Sequence, residues 1–212
     1  MISKEKLKWW VYSIFYLLLF VAGVIAVINQ NWVNLFLSVL TTLILYFSHR
    51  FSKNIGLEFP SEIEIAIIFL IYASLFLGEI SSFYSRFWWW DIMLHTFSGV
   101  LIALIAFLIV YILNRKTALF MSPFFVSIFA FSFAIALGVI WEIFEFSVDN
   151  VFGLNMQKSG LVDTMGDLTL IVVGAFFISF SGYFYLKHKK NNFVSKLINK
   201  FLKKNHEYLN GD

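Results

Sequence analysis

Seven carboxylates and one imidazole carry the reactive chemistry of this 212-residue chain: Glu79, Asp91, His95, Glu142, Glu145, Asp149, Asp163 and Asp167. Such groups ligate divalent cations of the Mg²⁺, Mn²⁺, Fe²⁺ or Zn²⁺ type. A cation held this way activates water near neutral pH, and a spare carboxylate then serves as general base. Helical spacing sorts the eight into sets. Asp91 and His95 stand four apart, as do Asp163 and Asp167, while Glu142, Glu145 and Asp149 follow steps of three and four. Each set therefore shares one helix face. The chain has no cysteine, which excludes disulfides and thiolate metal sites.

Lipid is the solvent in which these residues must be positioned. The chain is 60% hydrophobic and only 14% charged, with 27 phenylalanines, where a soluble domain carries roughly a quarter charged residues. A spanning helix needs about 20 mostly apolar residues. Such segments fall at 7–28, 33–49, 62–82, 91–113, 123–148 and 165–187. The reading is an all-α integral membrane protein, residues 1–190 forming one six-helix transmembrane bundle. Residues 191–212 form a cytoplasmic tail. There Phe193, Leu197, Phe201 and Leu202 recur at helical spacing among Lys196, Lys200, Lys203 and Lys204. That pattern predicts a basic amphipathic helix lying on anionic inner-leaflet lipid, with a partner-binding helix as the alternative.

Orientation follows from the basic residues. With the N-terminus in the cytoplasm, fourteen of the sixteen lysines and arginines fall on the cytoplasmic side, leaving Arg86 and Lys158 outside. This is the positive-inside pattern, and it argues for membrane orientation rather than nucleic-acid binding. Both termini are thus expected in the cytoplasm of a cell whose plasma or inner membrane holds the protein. Tryptophans 9 and 10 mark the inner interface, and Trp32 with tryptophans 88–90 the outer one.

In this topology all seven carboxylates come to the extracytoplasmic level, against Arg86 and Lys158. Carboxylates near hydrocarbon cannot all remain ionised and unpaired, so protons or a bound cation must neutralise them. Small residues continue the same faces inward: Ser98 and Gly99 below His95, Gly138 and Ala134 below Glu142, and Gly174 below Asp167. These let helices approach closely and predict that the acids face the bundle interior. Plainer roles stay open. Asp91 and Asp163 suit helix N-caps, and Thr164 with Asp167 suits a capping box. Asp149 suits a wet loop, and Glu79 a solvated interface. Glu142 and Glu145 lie too far inside their helix for capping.

Gly78-Glu79, Asp91-Ile-Met-Leu-His95 with Ser98-Gly99, Glu142-Ile-Phe-Glu145 and Asp163-Thr164-Met-Gly-Asp167 resemble the YjdF-type inner-membrane proteins, and more distantly VanZ-like membrane proteins. The resemblance runs from about residue 60 to 187. It departs at Ser159-Gly160, where the family carries a further aspartate, and at Ile92, where arginine is usual. It implies the fold and the site without a reaction, and the VanZ-like link implies envelope lipids or wall precursors. The expected ligands are His95, Glu142, Glu145 and Asp167, with Asp91 beside them. Glu145 and Asp163 are the candidates for catalysis, and Glu79 and Asp149 line the site. Three functions follow: a metal-dependent hydrolase or transferase of lipid or lipid-linked substrates, a proton or cation transporter using the acids as a relay, and a non-catalytic structural or partner protein.

Overall fold

A computed structural model describes residues 4–54, 57–117, 120–153, 155–189 and 193–206. Among them there are helices and no strands. The chain divides into two compact units, residues 1–90 and 91–212.

In the first unit, α1 (Lys4–Ile28) and α2 (Trp32–Asn54) form a hairpin. Gln30 turns the chain at a positive φ of 53°. Asn31 Oδ1 then accepts the Asn34 amide at 3.0 Å, satisfying one of the orphan donors at the start of α2. Their core gathers Leu19, Leu45, Ile68 and Tyr72, with the Phe15 ring stacked on Tyr72 at 4.1 Å. The third helix, α3 (Ser61–Ile71), begins after Pro60 with Glu62 and Glu64 in its first turn, as the macrodipole favours. It continues as a π-helical segment, Tyr72–Ile80. Such segments are rare and need support from outside the ladder. Here the Trp90 indole donates to the Ala73 carbonyl at 3.3 Å, and a Cβ at Gly78 would collide with the Tyr84 ring. A single short helix, α4 (Phe83–Arg86), follows.

In the second unit lie α5 (Trp90–Thr117, from Asp91 onward), α6 (Pro123–Phe152), α7 (Leu161–His188) and α8 (Phe193–Lys204). Pro123 at the start of α6, with Ser122 Oγ accepting the Phe125 amide at 3.2 Å, makes a regular helix start. Asn114 closes the α5–α6 connection by accepting the Met121 amide at 2.8 Å and donating to its carbonyl at 3.3 Å. The small-residue faces do what their size allows. A Cβ at Gly99 would stand 2.5 Å from the Ile171 carbonyl oxygen, and one at Gly174 would strike the Thr96 carbonyl. So α5 and α7 touch nearly backbone to backbone. Outward from this contact, Ile140, Ile143, Phe144, Val173, Phe176 and Phe177 remain exposed, an apolar surface suited to lipid.

Five helical stretches are long and apolar enough to cross a membrane: Trp9–Ile28, Ser61–Ile80, Trp90–Thr117, Pro123–Val151 and Leu161–His188. The remaining expected span, in α2, has a shorter apolar stretch, Trp32–Phe47. Ser48, His49, Arg50, Ser52 and Lys53 make the rest of that helix polar. Several helices outrun their expected bounds. In particular α6 continues to Phe152, which puts Asp149 inside its last turn and not in a loop. On α8, Val194, Leu197, Ile198 and Phe201 are buried, and Tyr185 Oη donates to Asn199 Oδ1 at 3.0 Å. The tail helix therefore turns its apolar face to protein and leaves Lys196 and Lys203 exposed.

Candidate metal centre

Three helix ends meet at one end of the second unit: the start of α5, the last turns of α6 and the start of α7. Asp91 is the second residue of α5, and His95 lies one turn deeper. Its Nδ1 stands 3.1 Å from Asp91 Oδ1 and 3.2 Å from Asp167 Oδ1 on α7. The Asp91 carbonyl oxygen is 3.3 Å from the same nitrogen. On the other edge of the ring, Nε2 is 3.8 Å from Glu142 Oε1 of α6. His95, Glu142, Glu145 and Asp167 are all buried, at 4–8% exposure, which sets them apart from solvated surface acids.

One nitrogen cannot donate a proton to two carboxylates and a carbonyl at once. Around a cation with bonds of roughly 2.0–2.2 Å, however, neighbouring ligand atoms sit about 3.0–3.4 Å apart. The two distances from His95 Nδ1, to Asp91 Oδ1 and Asp167 Oδ1, fall in that range, and the ligand atoms of the three residues lie within 4.8 Å of one another. The donor set of two carboxylates and an imidazole, with open positions left over, suits a divalent cation of the Mn²⁺, Fe²⁺ or Zn²⁺ kind.

Several buried oxygens here have no protein donor. Both carboxylate oxygens of Glu142 and Oδ2 of Asp167 are without a hydrogen-bond partner among the described residues. Thr164 stands near Glu142 but falls short of hydrogen-bond geometry, its Oγ1 accepting instead from Gln157 Nε2 at 2.7 Å. Orphaned acceptors at this depth cost about 1–3 kcal/mol each, and more when charged, unless something fills the gap between them.

The structure divides the predicted residues among distinct roles. Asp91, His95 and Asp167 bring their side-chain ligand atoms within 4.8 Å of one another. Glu142 lies across the imidazole, on Nε2 rather than Nδ1. Glu145 is oriented by Trp141, whose indole donates to Oε1 at 2.8 Å. Asp163 is half-buried on the first turn of α7 and has Asp167, Asp91, Lys158 and His95 as its charged neighbours. Asp149 takes no part in this group. Its Oδ1 accepts the Met156 amide at 2.7 Å and its Oδ2 the Gln157 amide at 2.9 Å, tying down the α6–α7 connection. Glu79 belongs to the first unit, exposed on the π-helical segment.

Two contributors escaped the sequence reading. Trp141 was legible in principle, because it precedes Glu145 by four residues on the same face. Lys158 was recognised only as an outside charge. Its Nζ stands 2.5 Å from Asp91 Oδ2, and no local spacing announces a contact between residues 67 apart.

A protein of Thermotoga maritima described as uncharacterized is 26% identical over 119 residues, covering 56% of this chain and 60% of that one. The match thus spans less than two thirds of the relative's length. No solved structure matches the chain significantly. The family model described as "Predicted membrane protein (DUF2238)", which is the YjdF-type family, matches residues 7–188, and the chain belongs to that family.

Proposed function

We propose that this membrane protein holds a divalent cation between Asp91, His95 Nδ1 and Asp167, and uses it to hydrolyse or transfer a lipid or lipid-linked envelope substrate. The observation that carries the reading is the meeting of Asp91 Oδ1 and Asp167 Oδ1 at His95 Nδ1, with Asp167 Oδ2 buried and without a hydrogen-bond partner among the described residues. With Nδ1 given to a metal, the ring proton would reside on Nε2, on the edge of the ring that faces Glu142 Oε1 at 3.8 Å, beyond hydrogen-bond range. A closer approach on metal binding would give the carboxylate–histidine–metal arrangement that raises ligand basicity. Bound at open coordination positions, such a cation would activate water or polarise a substrate oxygen. Glu145, oriented by Trp141, and Asp163, at the mouth, are the carboxylates left to move the proton.

The wider setting belongs to the same proposal. The apolar stretch of α2 serves as a sixth span, both termini are cytoplasmic, and the site faces the extracytoplasmic side of the cell membrane. The distribution of lysine and arginine supports this orientation. Exposed lysines of α8 then meet anionic lipid headgroups with charge alone, since the apolar face of that helix is occupied. The VanZ-like resemblance supplies the envelope direction.

Metal analysis of purified, washed protein tests the reading, with Glu142→Gln and His95→Ala beside wild type. Near-stoichiometric metal in wild type, lost in His95→Ala and weakened in Glu142→Gln, is the expected result. Wild type that carries no metal and takes up none on titration sinks it.

A further inference from the structure

We infer that the site takes a second dication, of the oxygen-seeking Mg²⁺ or Mn²⁺ kind, held by Glu142 and by Asp167, whose carboxylate then bridges two metal ions. This rests on the metal reading above and adds a second ion to it. The two carboxylates of the first position differ in how their other oxygens are met. Asp91 turns Oδ1 to His95 and Oδ2 to the Lys158 ammonium. Asp167 also turns Oδ1 to His95, but its Oδ2 is buried and has no hydrogen-bond partner among the described residues. Glu142 is only 4% exposed, and neither of its carboxylate oxygens has such a partner. Its Oε1 faces His95 Nε2 at 3.8 Å, which leaves Oε2 for another charge. The second position is therefore defined by Glu142 and the far oxygen of Asp167.

Packing brings these two residues to one level. A Cβ at Gly138 on α6 would stand 2.7 Å from Ile171 Cδ1 on α7, so those positions face each other directly. Glu142 lies four residues from Gly138 toward the end of α6, and Asp167 four residues from Ile171 toward the start of α7. Each step keeps the same helix face and climbs about 6 Å toward the site. Asp167 is accordingly among the charged neighbours of Glu142, with His95 and Asp163.

Charge gives the second argument. Asp91, Glu142, Glu145, Asp163 and Asp167 stand against Lys158, the one lysine or arginine between Lys116 and Lys187. With all five ionised and His95 neutral as a ligand, four negative charges remain over. One dication removes half of this excess and a second removes the rest, as buried carboxylates require. Protons on the glutamates are the competing way to balance it. The donors of the second position are all oxygens, which selects hard cations, whereas the imidazole serves the first. Two carboxylates fill few coordination positions, so water completes the shell and the second ion binds after the first. Paired cations about 3.5–4 Å apart clamp both the attacking and the leaving oxygen of a displacement.

The experiment strips the full-length protein of metal in detergent and titrates it with Mn²⁺. Equilibrium dialysis counts the bound ions, and electron paramagnetic resonance reports whether they are isolated or coupled. Wild type should take up two Mn²⁺ per chain, the second roughly tenfold or more weakly because it has fewer protein ligands. As the second enters, the isolated-ion spectrum should give way to that of an exchange-coupled pair. Glu142→Gln should take up one Mn²⁺ and keep the isolated-ion spectrum. Glu142→Asp, which retains a carboxylate, should restore the pair. A single Mn²⁺ in wild type at saturation would assign the remaining charge to protons. That result, two uncoupled ions in wild type, or a coupled pair in Glu142→Gln overturns this inference alone. The wild-type count and spectrum decide the matter even where a variant fails to fold. Failure of wild type to bind any Mn²⁺ overturns it together with the metal reading.

Discussion

His95 on α5 and Asp167 on α7 meet at 3.2 Å, a distance that depends on glycines elsewhere in the two helices. Gly99 and Gly174 let the backbones touch one to two turns below the pair, so that short side chains reach across. A Cβ at position 174 would strike the Thr96 carbonyl and stand 3.0 Å from the Val100 amide nitrogen. Neither neighbour is a flexible side-chain end that can swing away. Gly174→Ala should therefore push α5 and α7 apart, at about 1–3 kcal/mol of stability for an overpacked contact. Lower thermal stability and weaker Mn²⁺ binding should appear together. Gly166→Ala is the control on the same helix, because nothing lies within 4 Å of its added Cβ. There the gain in helix propensity predicts unchanged or slightly higher stability, by about 0.5–1 kcal/mol.

Trp141 is an orienting residue rather than a packing one. Its ring is 37% exposed, yet its indole nitrogen is committed to Glu145 at 2.8 Å. Trp141→Phe keeps an aromatic body and removes that donor. A hydrogen bond of this kind contributes about 0.5–3 kcal/mol. Glu145 is not among the three proposed metal ligands, so calorimetric titration should give nearly the wild-type Mn²⁺ affinity while thermal stability falls by that order. A large loss of Mn²⁺ affinity in Trp141→Phe would place Glu145 among the ligands instead.

What the sequence revealed, and what it hid, follows from the range of each interaction. The three spans of the second unit were legible because apolar length and short connections are local properties. The faces on which Asp91, His95, Glu142, Glu145 and Asp167 lie were equally plain, since helical geometry alone sets them. Which nitrogen of His95 meets which carboxylate was not legible. That choice depends on helix rotation and on close approach at Gly99 and Gly174, and no single-helix pattern records either. Asp149 misled for a related reason. Its spacing from Glu145 placed it on the acidic face, whereas the extra turn of α6 aimed its carboxylate at the backbone amides of the next connection. The π-helical segment gave no warning at all, being held by Trp90 and Tyr84 from later in the chain.

The part played by Asp149 can be isolated. Its two backbone hydrogen bonds are charge-assisted, and such bonds contribute about 1.5–3 kcal/mol each. Asp149→Ala should loosen the α6–α7 connection at Met156 and Gln157 while leaving the helices intact, because the lost contacts lie beyond the end of α6. Hydrogen exchange should quicken at the Met156 and Gln157 amides by roughly tenfold or more, with protection in the middle of α5 and α7 unchanged. Uniform loss of protection would mean that Asp149 supports the whole unit and not its connection.

Orientation has a direct test because the chain has no cysteine. Ser159 sits exposed beside Lys158 just before α7, and Lys196 is exposed on α8. If fourteen of the sixteen basic residues mark the cytoplasmic face, S159C must react with a membrane-impermeant maleimide in intact cells. K196C must react only after permeabilisation. Labelling reversed between the two would invert the protein and place the acidic site in the cytoplasm. Labelling of both from one side would mean an even number of membrane crossings between them, or none, in conflict with a single span through α7. The expected pattern would leave α7 crossing once, with its acidic start outside and its basic end, Lys187 and His188, inside.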